Sequence, residues 1–334
     1  TRVIGTARLP SLYSYIGNLL SDKNLNVARA AINCAGNAGA VEFGRDLVNL
    51  LGKRQVSRLA REALAKMGDR IVDLLDQCLK DKNLDIYVRL GIPRVLSYIP
   101  TQKSIASLSA NLKNADSAAY SEILRGLNRI KYSRPRLKFN RTFFGNQVRL
   151  SIRKFYDIQY VLHVLFSEAG TTQTELEHQR NSGRLLKKAL KEKQDKLLRR
   201  TFRLLGLIYT PDDMINAYKG VTSNHSVLQA NTLEYLDTLL EPGLKRYLLP
   251  ILERETGNPI LKKYEVLYKR KLSGRRQALL TLLHGDDNWL KACTLYYLTG
   301  QKTGMPEAES EALIRSRDHR VREAAQFFIS RNSE

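Results

Sequence analysis

The sequence offers few footholds for chemistry, and the best of them is cationic. Between Tyr132 and Phe144, four aromatics (Tyr132, Phe139, Phe143 and Phe144) interleave with Arg134, Arg136, Lys138 and Arg141. Cationic side chains hold phosphate oxygens and aromatic rings stack on bases, so the pattern suits nucleic acid. The same residues also describe a solvated or membrane-facing basic surface whose aromatics turn into the core, and that reading is preferred. A second constellation is Asn231, Glu234 and Asp237. Steps of three place them on one face of a helix, where they offer a small polar site on a groove. The favoured alternative is structural: Asn231 bonds a neighbouring turn, and the two acids pair with cations across repeats.

Signatures of catalysis are missing. There is no Gly-x-x-x-x-Gly-Lys loop, no Gly-x-Gly-x-x-Gly after a strand, no Cys-x-x-Cys and no His-Glu-x-x-His. His163, His178, His225, His284 and His319 are scattered, four of them at expected turns, loops or helix ends, which argues against a metal site. Asp212-Asp213 and Asp286-Asp287 sit at helix starts, where acids favour the dipole; catalytic carboxylates are the weaker reading. Cys34, Cys78 and Cys293 are far apart, odd in number and set in apolar helical contexts, which predicts buried free thiols and a reducing compartment. No enzymatic activity, metal or cofactor is expected.

Charge is the outstanding property. Among 334 residues, 55 Lys and Arg against 33 Asp and Glu give a net charge of +22. Residues 123–156 carry +10, residues 184–203 carry +7 and residues 261–276 carry +6, so the rest of the chain is close to neutral. The charge belongs to particular faces, which attract phosphates, an anionic membrane or an acidic protein. Apolar residues make up 43%, ordinary for a globular chain, and no apolar run is long enough to span a bilayer. No signal peptide is expected, and a start at Thr1 without Met suggests an excised fragment.

The elements that must position these residues are helices. From Phe202 to Leu240, apolar residues recur at helical spacing in three segments. Thr210-Pro211 starts the second, the polar turn Ser223–Ser226 starts the third, and Pro242-Gly243 follows it. The same grammar returns as Asp85-Ile86-Tyr87-Val88-Arg89, Asp195-Lys196-Leu197-Leu198-Arg199, Ser226-Val227-Leu228-Gln229, Asp287-Asn288-Trp289-Leu290-Lys291 and Asp318-His319-Arg320-Val321-Arg322. From Arg199 on, the fifth positions fall about one or two units of 31 residues apart, and Arg29 and Arg58 lie upstream of Arg89 at similar steps, the mark of an α-solenoid built from helix pairs. Pro93 lies inside an expected helix and should kink it. The expected organisation is an amino-terminal array over 1–130, an irregular basic insertion over 131–183 and a carboxy-terminal array over 184–334. The insertion should hold one long helix, Phe143 to Phe166, and a mobile loop from Ala169 to Gly183. Helices should follow over Leu185–Leu198 and from Phe202. Trp289 should wedge between repeats. Equivalent positions align along one edge of a solenoid, so Arg134, Arg136, Lys138 and Arg141 are expected to join Lys187, Lys188 and Lys191 in one basic binding surface.

The Asp-x-x-Val-Arg pattern resembles HEAT repeats. That resemblance implies that the acid caps the second helix and that Arg89, Arg199 and Arg322 form a structural ladder, paired with acids between repeats. A closer resemblance rests on Phe202-Arg203-Leu204-Leu205-Gly206-Leu207-Ile208-Tyr209, Ala217-Tyr218-Lys219-Gly220, Gln229-Ala230-Asn231-Thr232-Leu233-Glu234-Tyr235-Leu236-Asp237 and Leu244-Lys245-Arg246. These look like the soluble HEAT region attached to bacterial ATP/ADP-translocase-like membrane transporters of major-facilitator type. Asp287 to Tyr296, Arg322-Glu323-Ala324-Ala325 and Leu127-Asn128-Arg129-Ile130 fit other parts of that region. Thr232 stands where Ala is expected, and Thr238 where Asn is. The resemblance implies an all-α solenoid of HEAT-like repeats without β-sheet, acting as a non-catalytic interaction module at the cytoplasmic face of the bacterial inner membrane. Its partner would be a protein or the transporter's own membrane domain, with anionic lipid beside the basic faces. The alternative is a DNA- or RNA-binding solenoid, and less favoured still a HEAT-like DNA glycosylase.

Overall fold

Capping residues explain where this chain breaks into helices. The structure, a computed structural model, describes residues 13–166, 177–253, 258–268, 274–299 and 312–332. Among the described residues every regular element is a helix and none is a strand. The chain divides into two compact units, Thr1–Arg141 with Gly206–Pro211, and Thr142–Leu205 with Asp212–Glu334.

The first unit holds α1 (Tyr13–Leu20), α2 (Leu25–Ala38), α3 (Gly44–Asn49), α4 (Ser57–Lys66), α5 (Val72–Lys80), α6 (Ile86–Ser97), α7 (Gln102–Leu112) and α8 (Ser117–Ser133). Asn24, Asp85, Thr101 and Asp116 cap α2, α6, α7 and α8 by accepting backbone N–H bonds from the first turn. Gly39, at φ +64°, closes α2 in the left-handed region that disfavours other residues. Pro93 lies within α6, as its sequence context predicts.

Each helix packs on its sequence neighbour, α1 on α2, α3 on α4, α5 on α6 and α7 on α8. Each also packs on the helix two further along, α2 on α4 on α6 on α8, and α1 on α3 on α5 on α7. Alternate helices thus form two rows, and each helix sends at least one fully shielded aliphatic residue between them: Ile16, Ile32, Leu47, Leu64, Leu75, Ile92, Leu108 and Leu127 are all 0% exposed. Burying a side chain of this kind stabilises by about 1.5–3 kcal/mol. Small residues let the even row close up. A Cβ on Gly36 would lie 2.7 Å from the Ala63 backbone of α4, and one on Gly126 would lie 2.8 Å from the Pro93 carbonyl oxygen.

Polar rungs tie successive pairs. Lys66 donates to Asn37 at 2.7 Å and Arg70 to the Gly39 carbonyl at 3.0 Å. Thr101 donates to Asp69 at 2.6 Å, Lys103 to Asp73 at 2.8 Å, and Ser107 and Asn111 to Asp76 at 2.7 Å each. Burial pushes the Asp76 carboxyl up, but Lys80, Ser107 and Asn111 outweigh it and hold the group below its ordinary range.

The second unit holds α9 (Arg141–Phe166, with Arg141 at the boundary), most of α10 (Glu177–Ile208), α11 (Pro211–Val221), α12 (Ser226–Leu239), α13 (Pro242–Leu252), α14 (Asn258–Tyr268), α15 (Gly274–Leu283), α16 (Asn288–Leu298) and α17 (His319–Asn332). α9 and α10 run antiparallel: Ser151 meets Leu197 and Thr201, Gln159 meets Gln194, and Phe166 meets Lys187. The buried hydroxyls of Ser151 and Thr201 satisfy each other at 2.9 Å inside this pair. Tyr156, 0% exposed, packs edge-on against Tyr268 at 6.0 Å. Beyond the long pair, α12 packs on α13, α15 on α16, and α16 on α17.

Two expectations for this region are corrected. Residues 177–183 are helical, and no turn separates Leu198 from Phe202, because α10 runs unbroken from Glu177 to Ile208. That span is dominated by Leu, Lys, Arg, Glu and Gln, which are strong helix formers, with no Pro and no capped break. Asp195 is an exposed residue in mid-helix, not a turn. Gly183, expected at the end of a loop, is a helical residue beside the rings of Tyr297 and Phe166. The remainder of that expected loop, 169–176, lies outside the described residues. The unit boundary assigns 131–141 to the first unit and 142–183 to the second.

Candidate functional site

The basic loop begins where α8 ends. Arg134 closes that helix with its N–H on the Ile130 carbonyl at 2.8 Å, leaving its side chain in solvent. Gln102 holds the loop from α7: it donates to the Lys138 carbonyl at 2.9 Å and accepts the Lys138 N–H at 3.2 Å. Arg134, Arg136 and Lys138 are exposed, and among the described residues no carboxylate comes within ion-pair distance of them. Arg141 behaves differently. Its guanidinium donates to the Ile208 carbonyl at 3.2 Å and lies 5.5 Å from the Tyr209 ring, so it anchors the loop. Lys131 sits 5.1 Å from the Phe139 ring, and burial, then the charge of Arg141, lower its pKa. Of the four aromatics, Phe144 is fully buried, Phe139 and Phe143 are half-buried, and Tyr132 stands 67% exposed.

The second basic face belongs to the other unit. Lys187, Lys188 and Lys191 are exposed on α10, with the Lys187 ammonium 5.7 Å from the Phe166 ring. One step on, Lys193 turns inward and pairs with Asp287 at 2.6 Å, while Lys154 of α9 pairs with Asp286 at 2.9 Å. The acid pair is therefore committed to structure. Asp287 also caps α16, accepting from the amides of Trp289 and Leu290 at 3.1 and 3.2 Å. Burial pushes its carboxyl up, but Lys193 and those amides prevail and leave its pKa lowered. Of the seven expected surface residues, Arg134, Arg136, Lys138 and Arg141 belong to the first unit and Lys187, Lys188 and Lys191 to the second.

The remaining candidates find mostly structural roles. Arg89 pairs with Asp116, the cap of α8, at 2.8 Å. Arg199 has no such acid among the described residues; its Nε donates to the Tyr218 hydroxyl at 3.3 Å and its charge lies 5.8 Å from that ring. Arg322 donates to the carbonyls of Ser316 and Arg317 at 2.7 and 3.0 Å. A shared place in the sequence pattern therefore does not dictate a shared partner, because the facing residue differs each time. Asn231, Glu234 and Asp237 are exposed on α12, and Asp237 pairs with Lys245 at 2.6 Å. Trp289 is 41% exposed, so it is no wedge. Cys34, Cys78 and Cys293 are buried free thiols; burial raises all three pKa values, that of Cys293 to about 12. Among the described residues no cluster of three or more His, Cys, Asp or Glu could hold a metal, and no helix is long and apolar enough to cross a membrane.

Sequence reasoning missed two features. A cleft of about 490 Å³ in the second unit is lined by Phe155, Asp195, Arg199, Tyr218, Thr222 and Ile251 among others. In the first unit, Arg61 of α4, Arg94 of α6 and Arg129 of α8 lie within electrostatic range of Tyr98, at the end of α6. The Arg129 guanidinium lies 4.6 Å from the Tyr98 ring centroid. The signal was present as Arg at nearly one-period steps, but in a different register from Arg29, Arg58 and Arg89. Comparison of the chain with protein-family models and with curated proteins finds no match.

Proposed function

We propose that this chain is a non-catalytic interaction module, a HEAT-like helical solenoid that docks on anionic surfaces through its basic faces. The observation that carries the proposal is the loop after α8, where Arg134, Arg136 and Lys138 are exposed and unopposed by any carboxylate among the described residues. Supporting the repeat reading are the two rows of helices in the first unit and the polar rungs that join residues about one period apart. The resemblance carried by 202–237 extends the proposal: the module is the soluble cytoplasmic region of a nucleotide-transporter-like bacterial membrane protein. Its partner is then the membrane domain or another protein, with lipid headgroups against the basic faces. A second reading, binding of DNA or RNA, is favoured by one observation. Tyr132 exposes 67% of its surface beside the arginines, where a base could stack.

Co-sedimentation with neutral and anionic vesicles, alongside two duplex DNAs of unrelated sequence, tests the order of these readings. A basic residue at an anionic membrane contributes about 1 kcal/mol, so replacing Arg134, Arg136 and Lys138 together by Gln should weaken vesicle binding by about 100-fold. Binding should also fall as salt shortens the screening length to about 8 Å and below. Tight binding of one DNA over the other with no vesicle binding would reverse the preference.

A further inference from the structure

The cleft in the second unit keeps apart two opposite charges that their own helix should join. Its walls come from α9, α10, α11 and α13, all within that unit. Asp195 and Arg199 stand four residues apart on α10, with the acid nearer the amino terminus, the order in which such a pair closes best. It does not close. The Arg199 Nε donates instead to the Tyr218 hydroxyl at 3.3 Å, and the guanidinium carbon lies 5.8 Å from the centroid of that ring. Tyr218 is itself held edge-on against Phe202 at 5.7 Å. Asp195 acts on Arg199 through its charge alone, and among the described residues its carboxylate accepts no hydrogen bond and meets no cation at ion-pair distance. Other polar groups of the wall are already engaged. The Thr222 hydroxyl donates to the Tyr218 carbonyl at 2.7 Å, and the Gln194 amide donates to Gln159. The rest of the wall is apolar. Ile251 and Leu252 are 7% and 6% exposed, and Phe155, half-buried, packs against no other ring among the described residues.

We propose that this cleft binds a free α-amino acid with an apolar or aromatic side chain. The ligand carboxylate pairs with Arg199, its ammonium pairs with Asp195, and its side chain lies against Phe155 and the aliphatic wall. The chemistry selects that ligand. A volume of about 490 Å³ falls within the range of small-molecule sites, which join an apolar lining to a few placed polar groups. A guanidinium and a carboxylate held apart on one helix match the two charges of a zwitterion, and each gains a charge-assisted hydrogen bond. A phosphate would bring extra negative charge to a site with one cation and one acid. A charged side chain would lose its water against the aliphatic wall without gaining a partner. The cleft shares no residue with the basic loop and stands without that reading.

Calorimetric titration of the whole chain with L-phenylalanine and L-leucine at pH 7.5 tests this, with 3-phenylpropionate, phenethylamine and L-glutamate as comparisons. Both apolar amino acids should bind and raise the melting temperature, and L-glutamate should not. 3-Phenylpropionate lacks the ammonium and phenethylamine lacks the carboxylate, so each should bind about 10-fold more weakly than L-phenylalanine, or worse. Arg199→Gln and Asp195→Asn should each weaken L-phenylalanine by about 10-fold or more. The two variants should part on the half-ligands. Arg199→Gln should weaken 3-phenylpropionate and spare phenethylamine, whereas Asp195→Asn should weaken phenethylamine and spare 3-phenylpropionate. Because Asp195 accepts no hydrogen bond within the fold, Asp195→Asn should melt like the parent, which separates lost binding from lost folding. Failure of both apolar amino acids to bind, half-ligands as tight as L-phenylalanine, or variants that weaken both half-ligands alike would overturn the site.

Discussion

Replacing Asp287 by Ala removes two attachments from one side chain. The carboxylate caps α16 through the Trp289 and Leu290 amides, and it pairs with Lys193 at 2.6 Å with side chains only 26% and 21% exposed. Loss of a cap costs about 1 kcal/mol. Stripping a mostly shielded lysine of its partner costs about 1–3 kcal/mol more. Asp287→Ala should therefore lose about 2–4 kcal/mol, and in a folding unit of this size that lowers the melting temperature by about 5–15 °C. Asp287→Asn keeps an oxygen for the two amides and should lose about half as much. The pH dependence has a definite sign. The folded pKa of Asp287 is lowered, so its stabilisation is complete above the ordinary carboxylate range and fades as pH falls through the lowered value. Thermal melts by circular dichroism between pH 7 and pH 3 should show an acid slope in the parent that Asp287→Asn makes shallower. Lys193→Met completes a double-mutant cycle: it should be costly in the parent and close to neutral beside Asp287→Asn. Equal losses for Asp287→Ala and Asp287→Asn would refute the cap, and an undiminished Lys193→Met cost beside Asp287→Asn would refute the pair.

Urea denaturation tests two further expectations. Asp116→Ala should cost more than Arg89→Ala, because Asp116 both pairs with Arg89 and caps α8, whereas Arg89→Ala removes the pair alone, about 1 kcal/mol. Gly36→Ala should destabilise by about 1–3 kcal/mol, since its Cβ would lie 2.7 Å from the Ala63 backbone. Gly68→Ala has open space around it and should lose only about 1–2 kcal/mol of left-handed strain at φ +64°.

Local chemistry was the legible part of this sequence. The caps at Asp85, Asp116 and Asp287 and the proline start at Pro211 are local signals, and the helices begin where those residues place them. Cys34, Cys78 and Cys293 are likewise buried as their apolar surroundings imply. The misread stretch was 177–208, where a charged surface interrupted the apolar pattern without a backbone break. Partner identity was less legible. The step from Arg89 to Arg199 to Arg322 is a feature of spacing, but a salt bridge also needs an acid opposite, and Tyr218 or a loop carbonyl stands there instead. That Arg61, Arg94 and Arg129 lie within electrostatic range of Tyr98 was hidden because it depends on which helices are neighbours, a fact that no single helix encodes.

The rungs of the first unit have a consequence for how force and fluctuation move through it. The side-chain hydrogen bonds that join one helix pair to another close loops of 27 to 35 residues. Loop-closure entropy is then nearly the same for every rung, and none must wait for a distant segment of chain to arrive. Folding can start at any pair and spread to its neighbours. Undoing α1 and α2 breaks no bond between α7 and α8, so amide exchange should be fastest at Tyr13 and slow towards the interior, grading by pair and not opening at once. A molecule pulled from its amino terminus would surrender its helix pairs in sequence, each a small yield event of similar length.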